Sequence, residues 1–235
     1  MPVSALQLSN GVSSVNQPLP HSEFLNGLAE PDQRLILDRA ACQKVPAKET
    51  LIQGGAKATQ LFLLQWGNAR YYRITKKGEE LLLRWLVPGD VFGLATLLRS
   101  PSAYMGCVQT TTECTFYCWN HADLRRLSHS YPQLTENALR IALHYLSEYS
   151  NRHARLLTKT AEQRLACSLV NLGNSVGHAN PAGVQVDITN EQLGGLADVG
   201  LFTASRVLKK WERKGAITKA RGRVFIQSPE GLLVD

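Results

Sequence analysis

The chain has 235 residues, of which 44% are hydrophobic and 19% are charged. This length and composition fit one large or two ordinary packed domains and exclude a chain that is disordered throughout. The formal net charge of +7 favours nucleic acid or an anionic surface as a partner, without deciding between the two.

Residues 1–20 are rich in Ser, Asn and Pro and lack the basic and then apolar segments of a signal peptide. We predict a flexible tail here. No run in the chain approaches the ~18 apolar residues of a membrane span, and the five cysteines include no CxxC pair. The sequence therefore predicts a reduced, cytoplasmic protein with no disulfide framework, no metal site and no membrane partner.

Residues 21–130 are predicted to form a β-rich sensor domain. Pro31 is expected to open a short helix ahead of the strands. Short β-rich runs then alternate with turn signals such as Gly54-Gly55 and Pro88-Gly89-Asp90, a pattern typical of a β sandwich or roll. The predicted strands are 61–65, 69–74, 81–87, 107–112 and 115–119.

Cys114, Phe116 and Cys118 alternate along the last of these strands and therefore share one face of the sheet. Two interpretations remain open for the two cysteines. They are buried structural residues, which the pattern favours, or they form a thiol redox switch.

Residues 131–158 are predicted to form one long helix. Apolar positions recur on it at alternating spacings of three and four, which is the repeat typical of a seam between two helices. The flanking positions, such as Arg152 and Arg155, stay polar. We therefore predict a homodimer, the alternative being a helix that lies on the core of its own domain. The predicted seam comprises Leu139, Ala142, Leu146, Tyr149, His153 and Leu156.

Residues 159–235 are predicted to form a winged helix-turn-helix. Within this domain, a helix over 160–172, a loop over 173–183 and a strand over 184–188 precede the two helices of the helix-turn-helix. Thr189 and Gln192 have the spacing of a capping box, which predicts the start of the first helix. Asp198 stands at the break, where a left-handed backbone is needed, and Gly200 can start the second helix. Strands at 216–219 and 224–227 would form the wing.

Positive charge is concentrated in this domain. From Arg206 to Arg223 there are eight basic residues and one acidic residue, Glu212, so the excess equals the net charge of the whole chain. Such a localised basic segment is typical of a surface that binds nucleic acid phosphates.

The second helix has one apolar and one basic face. Arg206 is the predicted base contact, because its guanidinium matches the O6 and N7 atoms of guanine, while Lys209, Lys210 and Arg213 are predicted phosphate contacts. The complete predicted set of DNA contacts is Thr189, Phe202, Thr203, Ser205, Arg206, Lys209, Lys210 and Arg213.

Several motifs occur together in this order: Gly67, Gly78-Glu79-Glu80, Pro88-Gly89-Asp90-Val91-Phe92-Gly93, Ser205-Arg206 and Gly215-Ala216-Ile217. In these motifs the chain resembles the Crp/Fnr family of bacterial transcription regulators over nearly its whole length. The resemblance implies an α+β fold with an N-terminal β-roll (a cupin-like jelly roll), a long dimerisation helix and a C-terminal winged helix-turn-helix. It also implies binding to double-stranded DNA at a palindromic promoter site and contact with RNA polymerase.

The effector pocket departs from the family pattern. In members that bind cyclic nucleotide, Glu follows Phe-Gly and an Arg-Ser pair further on binds the cyclic phosphate; here Leu94 follows Gly93, and Tyr104-Met105 stand where the pair is expected. A phosphate buried without a cation is costly. We expect a degenerate pocket at Gly93, Leu94, Tyr104 and Met105 that does not bind cyclic AMP in the usual way.

The iron–sulfur branch of the family has closely spaced N-terminal cysteines, whereas Cys42 stands alone, so no such cluster is predicted. One alternative function is haem-based gas sensing, with His144, His121, His129 and Cys107 as candidate axial ligands. A second is a ligand-regulated protein-interaction module without specific DNA binding. An enzyme is not expected, because the sequence offers no constellation of nucleophile, base and acid.

The second helix departs from the family as well. Members commonly have Arg-Glu where Leu201-Phe202 stand here. Glu accepts a hydrogen bond from the cytosine amino group, which Phe cannot do. Phe202 is therefore expected either to touch a thymine methyl group or to pack against a neighbouring element.

Overall fold

The computed structural model describes residues 21–232. The chain divides into two compact units. Of the described residues, the first unit comprises 21–71 together with 86–146, and the second comprises 72–85 together with 147–232. Within residues 21–232 there is no helix that is both long and apolar enough to cross a membrane.

The described part of the chain begins with a 3-10 helix at Glu23–Leu25 and helix α1 at Glu30–Asp38. Pro31 lies in the first turn of α1, as predicted, where its missing N–H removes no helical hydrogen bond. The strands that follow are β1 (Ala41–Val45), β2 (Thr50–Ile52), β3 (Gln60–Trp66), β4 (Ala69–Ile74), β5 (Glu80–Leu86), β6 (Val91–Phe92), β7 (Cys107–Thr110) and β8 (Cys114–Asn120).

These strands form two four-stranded sheets, in the orders β1-β8-β3-β6 and β2-β7-β4-β5. The predicted β-roll is thus confirmed. Strands β1, β2 and β6 were missed by the sequence analysis. They are two to five residues long, and β1 is exposed at alternate positions, so their pairing partners rather than their own composition make them strands.

The interior of the roll contains the alternating triplet of β8. Cys114, Phe116 and Cys118 are all buried in one cluster with Phe62 and Phe92, which confirms that they share a face. Burial raises the pKa of the Cys118 thiol far above its ordinary range. A thiol held protonated in this way is a poor nucleophile, which favours the structural interpretation.

Two helices follow the roll, α2 (His121–Ser130) and α3 (Gln133–Thr158). The sequence analysis missed α2, while α3 matches the predicted long helix. The first turns of α3 are anchored in the first unit, because Leu134 and Ile141 are buried in its core and the Asn137 side-chain amide donates to the backbone oxygens of Phe24 and Asn26.

The second unit contains α4 (Ala161–Val176), β9 (His178–Asn180), β10 (Gly183–Val186), α5 (Asn190–Ala197), α6 (Leu201–Arg213), β11 (Ile217–Ala220), β12 (Arg223–Ile226) and a 3-10 helix at Glu230–Leu232. Its sheet has the order β11-β12-β10-β9. The hairpin β11–β12 is the predicted wing, with Arg221-Gly222 at its turn.

The prediction of a loop over 173–183 was wrong. Residues 173–176 continue α4, and 178–180 form β9. A glycine usually weakens a helix, but here Gly173 is required by packing, since a Cβ atom on it would lie 2.9 Å from Ile226 Cδ1. The glycine therefore allows α4 to approach β12 closely.

Candidate DNA-binding interface

Helix α5 begins with the predicted capping box. The Thr189 hydroxyl accepts from the Gln192 backbone N–H at 3.1 Å, and the Gln192 side chain accepts from the Thr189 N–H at 3.0 Å. The Thr189 hydroxyl therefore has a structural task at the start of this helix. Thr189 is exposed, so the predicted contact with DNA would be a second role for this residue.

The turn between α5 and α6 has the backbone that the sequence predicts. Asp198 is left-handed, with φ 53° and ψ 48°, and the Val199 N–H donates to the Gly194 oxygen at 2.8 Å. A Cβ atom on Gly194 would lie 2.6 Å from the Val199 oxygen. The turn therefore requires a residue without a Cβ atom at position 194 as well as a left-handed residue at 198, and the sequence analysis missed Gly194.

Two arginines bind the end of α5. The Arg152 guanidinium, from α3, forms two 2.8 Å bonds to the Asp198 carboxylate and donates to the Gly195 oxygen at 2.6 Å. Arg164, from α4, donates to the Ala197 and Asp198 oxygens at 2.9 and 3.1 Å. These contacts satisfy carbonyl groups that a helix leaves unpaired at its C-terminus and place positive charge there.

Helix α6 presents the two faces expected from its sequence. Its inner face is buried in the core of the second unit and comprises Ala204, Val207, Leu208 and Trp211. Phe202, Arg206 and Lys209 are exposed, with Ser205 half-buried beside them. Their spacing of three, four and seven residues from Phe202 places them in one stripe along the helix. This stripe is the candidate groove-facing surface.

Two residues of the predicted set of DNA contacts also form side-chain contacts within the second unit. The Ser205 hydroxyl accepts from the Asn190 side-chain amide at 3.0 Å, which braces α6 against the start of α5. Lys210 forms an ion pair with Glu162 at 2.8 Å, and Glu162 also accepts from the Trp211 indole. A phosphate contact by Lys210 would have to compete with this carboxylate.

The other basic residues between Arg206 and Arg223 are more available than Lys210 for contact with a ligand. Apart from Lys210, only Arg223 has an acidic partner within residues 21–232, namely Asp187 at 3.3 Å. The remaining six have none in that part of the chain: Arg206, Lys209, Arg213, Lys214, Lys219 and Arg221. Cations without internal partners along α6 and the wing suit a polyanionic ligand.

The predicted seam of α3 is exposed along its whole length. Leu139 and Leu146 expose 59% and 65% of their surface, and Tyr149, Leu156, Ala142 and His153 are exposed too. Leu143 and Leu157 extend the same apolar surface and were not part of the predicted seam. A row of large apolar side chains in solvent is a candidate surface for contact with another protein.

The four residues predicted to form a degenerate pocket do not all lie together. The Tyr104 hydroxyl accepts from the Gln60 and Thr59 N–H groups at 3.0 and 3.2 Å and donates to the Gln60 oxygen at 2.8 Å. Gly93 has φ 82°, and a Cβ atom on it would lie 3.3 Å from the Tyr104 ring. Leu94 begins a 3-10 helix at Leu94–Leu97, whereas Met105 is 79% exposed and does not join this group.

The candidate haem ligands have separate environments. His129 and His144 are exposed on α2 and α3, and one ring nitrogen of His121 lies 2.8 Å from the Thr96 oxygen. Cys107 is buried and its sulfur accepts from the Gly54 N–H. In the part of the chain from residue 21 to 232, no three His, Cys, Asp or Glu residues are grouped as metal ligands.

Two family models match the chain. The cyclic nucleotide-binding domain matches residues 42–131, and the Crp-like helix-turn-helix domain matches residues 163–234. Among similar proteins, the cAMP-activated global transcriptional regulator CRP of Haemophilus influenzae is 25% identical over 220 residues, which cover 93% of this chain and 98% of that protein.

Two solved structures have the same fold. The c-di-GMP responsive global regulator CLP of Xanthomonas campestris is 18% identical with a TM-score of 0.74, and the match covers 84% of this chain and 99% of that one. A CRP-family transcriptional regulator of Thermus thermophilus is 24% identical with a TM-score of 0.69, covering 81% of this chain and 94% of that one.

Proposed function

Because the chain belongs to the Crp/Fnr family of DNA-binding transcription regulators, we propose that two copies of it act together on a palindromic promoter site. The observation that carries this proposal is the exposed stripe of α6, where Arg206 and Lys209 have no acidic partner among residues 21–232. The apolar face of α3 supplies the second element, a surface for the partner copy.

The first step is DNA contact by α6. In a helix-turn-helix, the N-terminal part of the second helix contacts base edges in the major groove. Arg206 is exposed in the second turn of α6, where a guanidinium can donate two hydrogen bonds to guanine. Lys209 and Arg213 lie further along the helix and are proposed phosphate contacts, which position the helix without selecting a sequence.

The second step is dimer formation through α3. The seam residues repeat at the spacing of a two-stranded coiled coil, and their exposure leaves them available to a second copy. A two-fold dimer presents two α6 helices to the duplex. The half-sites of the target should then lie about 34–36 Å apart, which is one helical turn.

The third step concerns control. The Tyr104 hydroxyl is already bonded to the N–H and the oxygen of Gln60, and a Cβ atom on Gly93 would lie 2.6 Å from that same Gln60 oxygen. The chain has no arginine at the position of the family's phosphate-binding pair. We therefore propose that this regulator is not controlled by cyclic nucleotide in the usual way. From its membership of the family we further propose that the promoter-bound dimer contacts RNA polymerase.

Selection of duplexes from a random library by the purified full-length protein tests the proposal. We expect enrichment of an inverted repeat, bound by two chains per duplex, with an affinity that falls steeply as salt increases. Cyclic AMP at millimolar concentration should leave that affinity unchanged. Recovery of no common sequence, or binding by a single chain, would contradict the proposal.

A further inference from the structure

Phe202 is the most exposed large hydrophobic residue among residues 21–232, with 91% of its surface in solvent. It lies in the first turn of α6, directly after Gly200 and Leu201. An aromatic ring so placed contributes nothing to the core of the folded chain. Burial of the ring against a partner would remove apolar surface from contact with water and so stabilise the complex.

The neighbours of Phe202 indicate which partner that is. Ser205 and Arg206 follow at three and four residues and share its stripe, and Lys209 follows at seven. The first turn of α6 contains no acidic residue. A partner that covers the ring must therefore accept nearby positive charge, which a nucleic acid duplex does and a neutral apolar protein surface does not.

The chemistry of the side chain then selects the base. Phe has neither a donor nor an acceptor, so it cannot form a hydrogen bond with any base edge. The apolar group that the major groove displays is the C5-methyl group of thymine. We propose that Phe202 contacts a thymine methyl group in each half-site and thereby determines a thymine at that position; the proposal rests on the DNA-binding function proposed above.

The position of that thymine follows from the helix. Phe202 precedes Arg206 by four residues, which correspond to about 6 Å of rise along an α-helix. Successive bases of one strand are about 3.4 Å apart. The thymine should therefore lie about two base pairs from the guanine that Arg206 contacts.

Uracil substitution tests this inference, because deoxyuridine removes the methyl group and keeps the base pair. In the selected duplex, each thymine is replaced in turn, and the affinity of the full-length protein is measured. At one position per half-site we expect a loss of about fourfold, or about 16-fold when both half-sites are changed, as for one buried methyl-sized group. Phe202→Ala should bind the thymine and uracil duplexes equally.

Two variants serve as controls. Phe202→Leu keeps an apolar contact and should retain part of the discrimination. Arg206→Ala should lose preference at the guanine position while still distinguishing thymine from uracil. Because Phe202 is outside the core, circular dichroism and the melting temperature of Phe202→Ala should match those of the unchanged protein.

The outcomes separate the two proposals. If the protein selects no duplex, the DNA-binding proposal itself fails. If it selects a site but uracil has no effect anywhere, or if Phe202→Ala keeps the full discrimination, only the assignment of Phe202 is overturned. An unchanged DNA affinity in Phe202→Ala would also overturn it and would assign the ring to a protein partner.

Discussion

Arg152 and Asp198 form a bidentate ion pair, with both N–O distances at 2.8 Å. The arginine lies on α3 and the aspartate lies at the turn of the helix-turn-helix, 46 residues later. The arginine side chain is only 16% exposed. The last turns of the proposed dimerisation helix are therefore bonded directly to the turn that sets the angle between α5 and α6.

Loss of this ion pair should destabilise the protein. Arg152→Ala leaves the Asp198 carboxylate and the Gly195 oxygen without their partner in a half-buried place, so we expect the free energy of unfolding to fall by about 1–3 kcal/mol. Urea unfolding of the full-length protein measures this. Arg155→Ala on the same helix is the matched control, and an equal loss in both variants would contradict the assigned role.

Neighbouring glycines of α5 should respond in opposite ways to alanine. A Cβ atom on Gly194 would lie 2.6 Å from the Val199 oxygen, whereas one on Gly195 would meet no atom of residues 21–232 within 4 Å. Gly194→Ala should therefore cost about 1–3 kcal/mol through overpacking. Gly195→Ala should be neutral or stabilising by up to about 1 kcal/mol, because alanine favours the helix.

Melting temperatures of the two alanine variants make the comparison. A lower melting temperature for Gly195→Ala than for Gly194→Ala would show that the close approach of the Val199 oxygen does not determine the turn.

Arg206 and Lys209 should differ in what they contribute to DNA binding. Arg206→Ala is expected to cost about 1–3 kcal/mol on the selected site and to relax the preference at one position per half-site. Lys209→Ala should weaken binding to selected and random duplexes alike and reduce its salt dependence. Fluorescence anisotropy titrations on both duplexes separate these effects. Equal losses for Arg206→Ala on the two duplexes would mean that this residue contacts only phosphate.

A charge placed on the seam of α3 should prevent dimer formation. Leu146 is 65% exposed in the single chain, so Leu146→Glu costs the monomer little and places a carboxylate within an apolar interface. Sedimentation velocity should then detect monomers. Asn151→Glu is the control, since Asn151 is exposed on the opposite side of the same helix. A dimeric Leu146→Glu protein would place the interface elsewhere.

Features encoded by neighbouring residues were predicted correctly. The capping box of Thr189 and Gln192, the left-handed Asp198 and the two faces of α6 each depend on residues within one or two helical turns. For the same reason, the long helix and its exposed apolar repeat were recognisable from spacing alone.

Features that depend on distant residues were not predictable. The partner of Arg152 lies 46 residues away, and Glu162 and Lys210 are 48 residues apart. Gly173 indicated a loop, because its packing against Ile226 becomes visible only when α4 lies on the sheet. The Tyr104 hydroxyl bonds the backbone of Gln60, 44 residues earlier in the chain, and nothing in the sequence indicated that contact.

Binding to duplexes with altered half-site spacing tests the central proposal most directly. Two recognition helices held by one dimer require half-sites on the same face of the duplex. Insertion of about five base pairs, half of a helical turn, between the half-sites moves them to opposite faces. We predict that the affinity then falls to that of a single half-site. An affinity unchanged by the insertion would contradict the account of a dimer that contacts a palindrome.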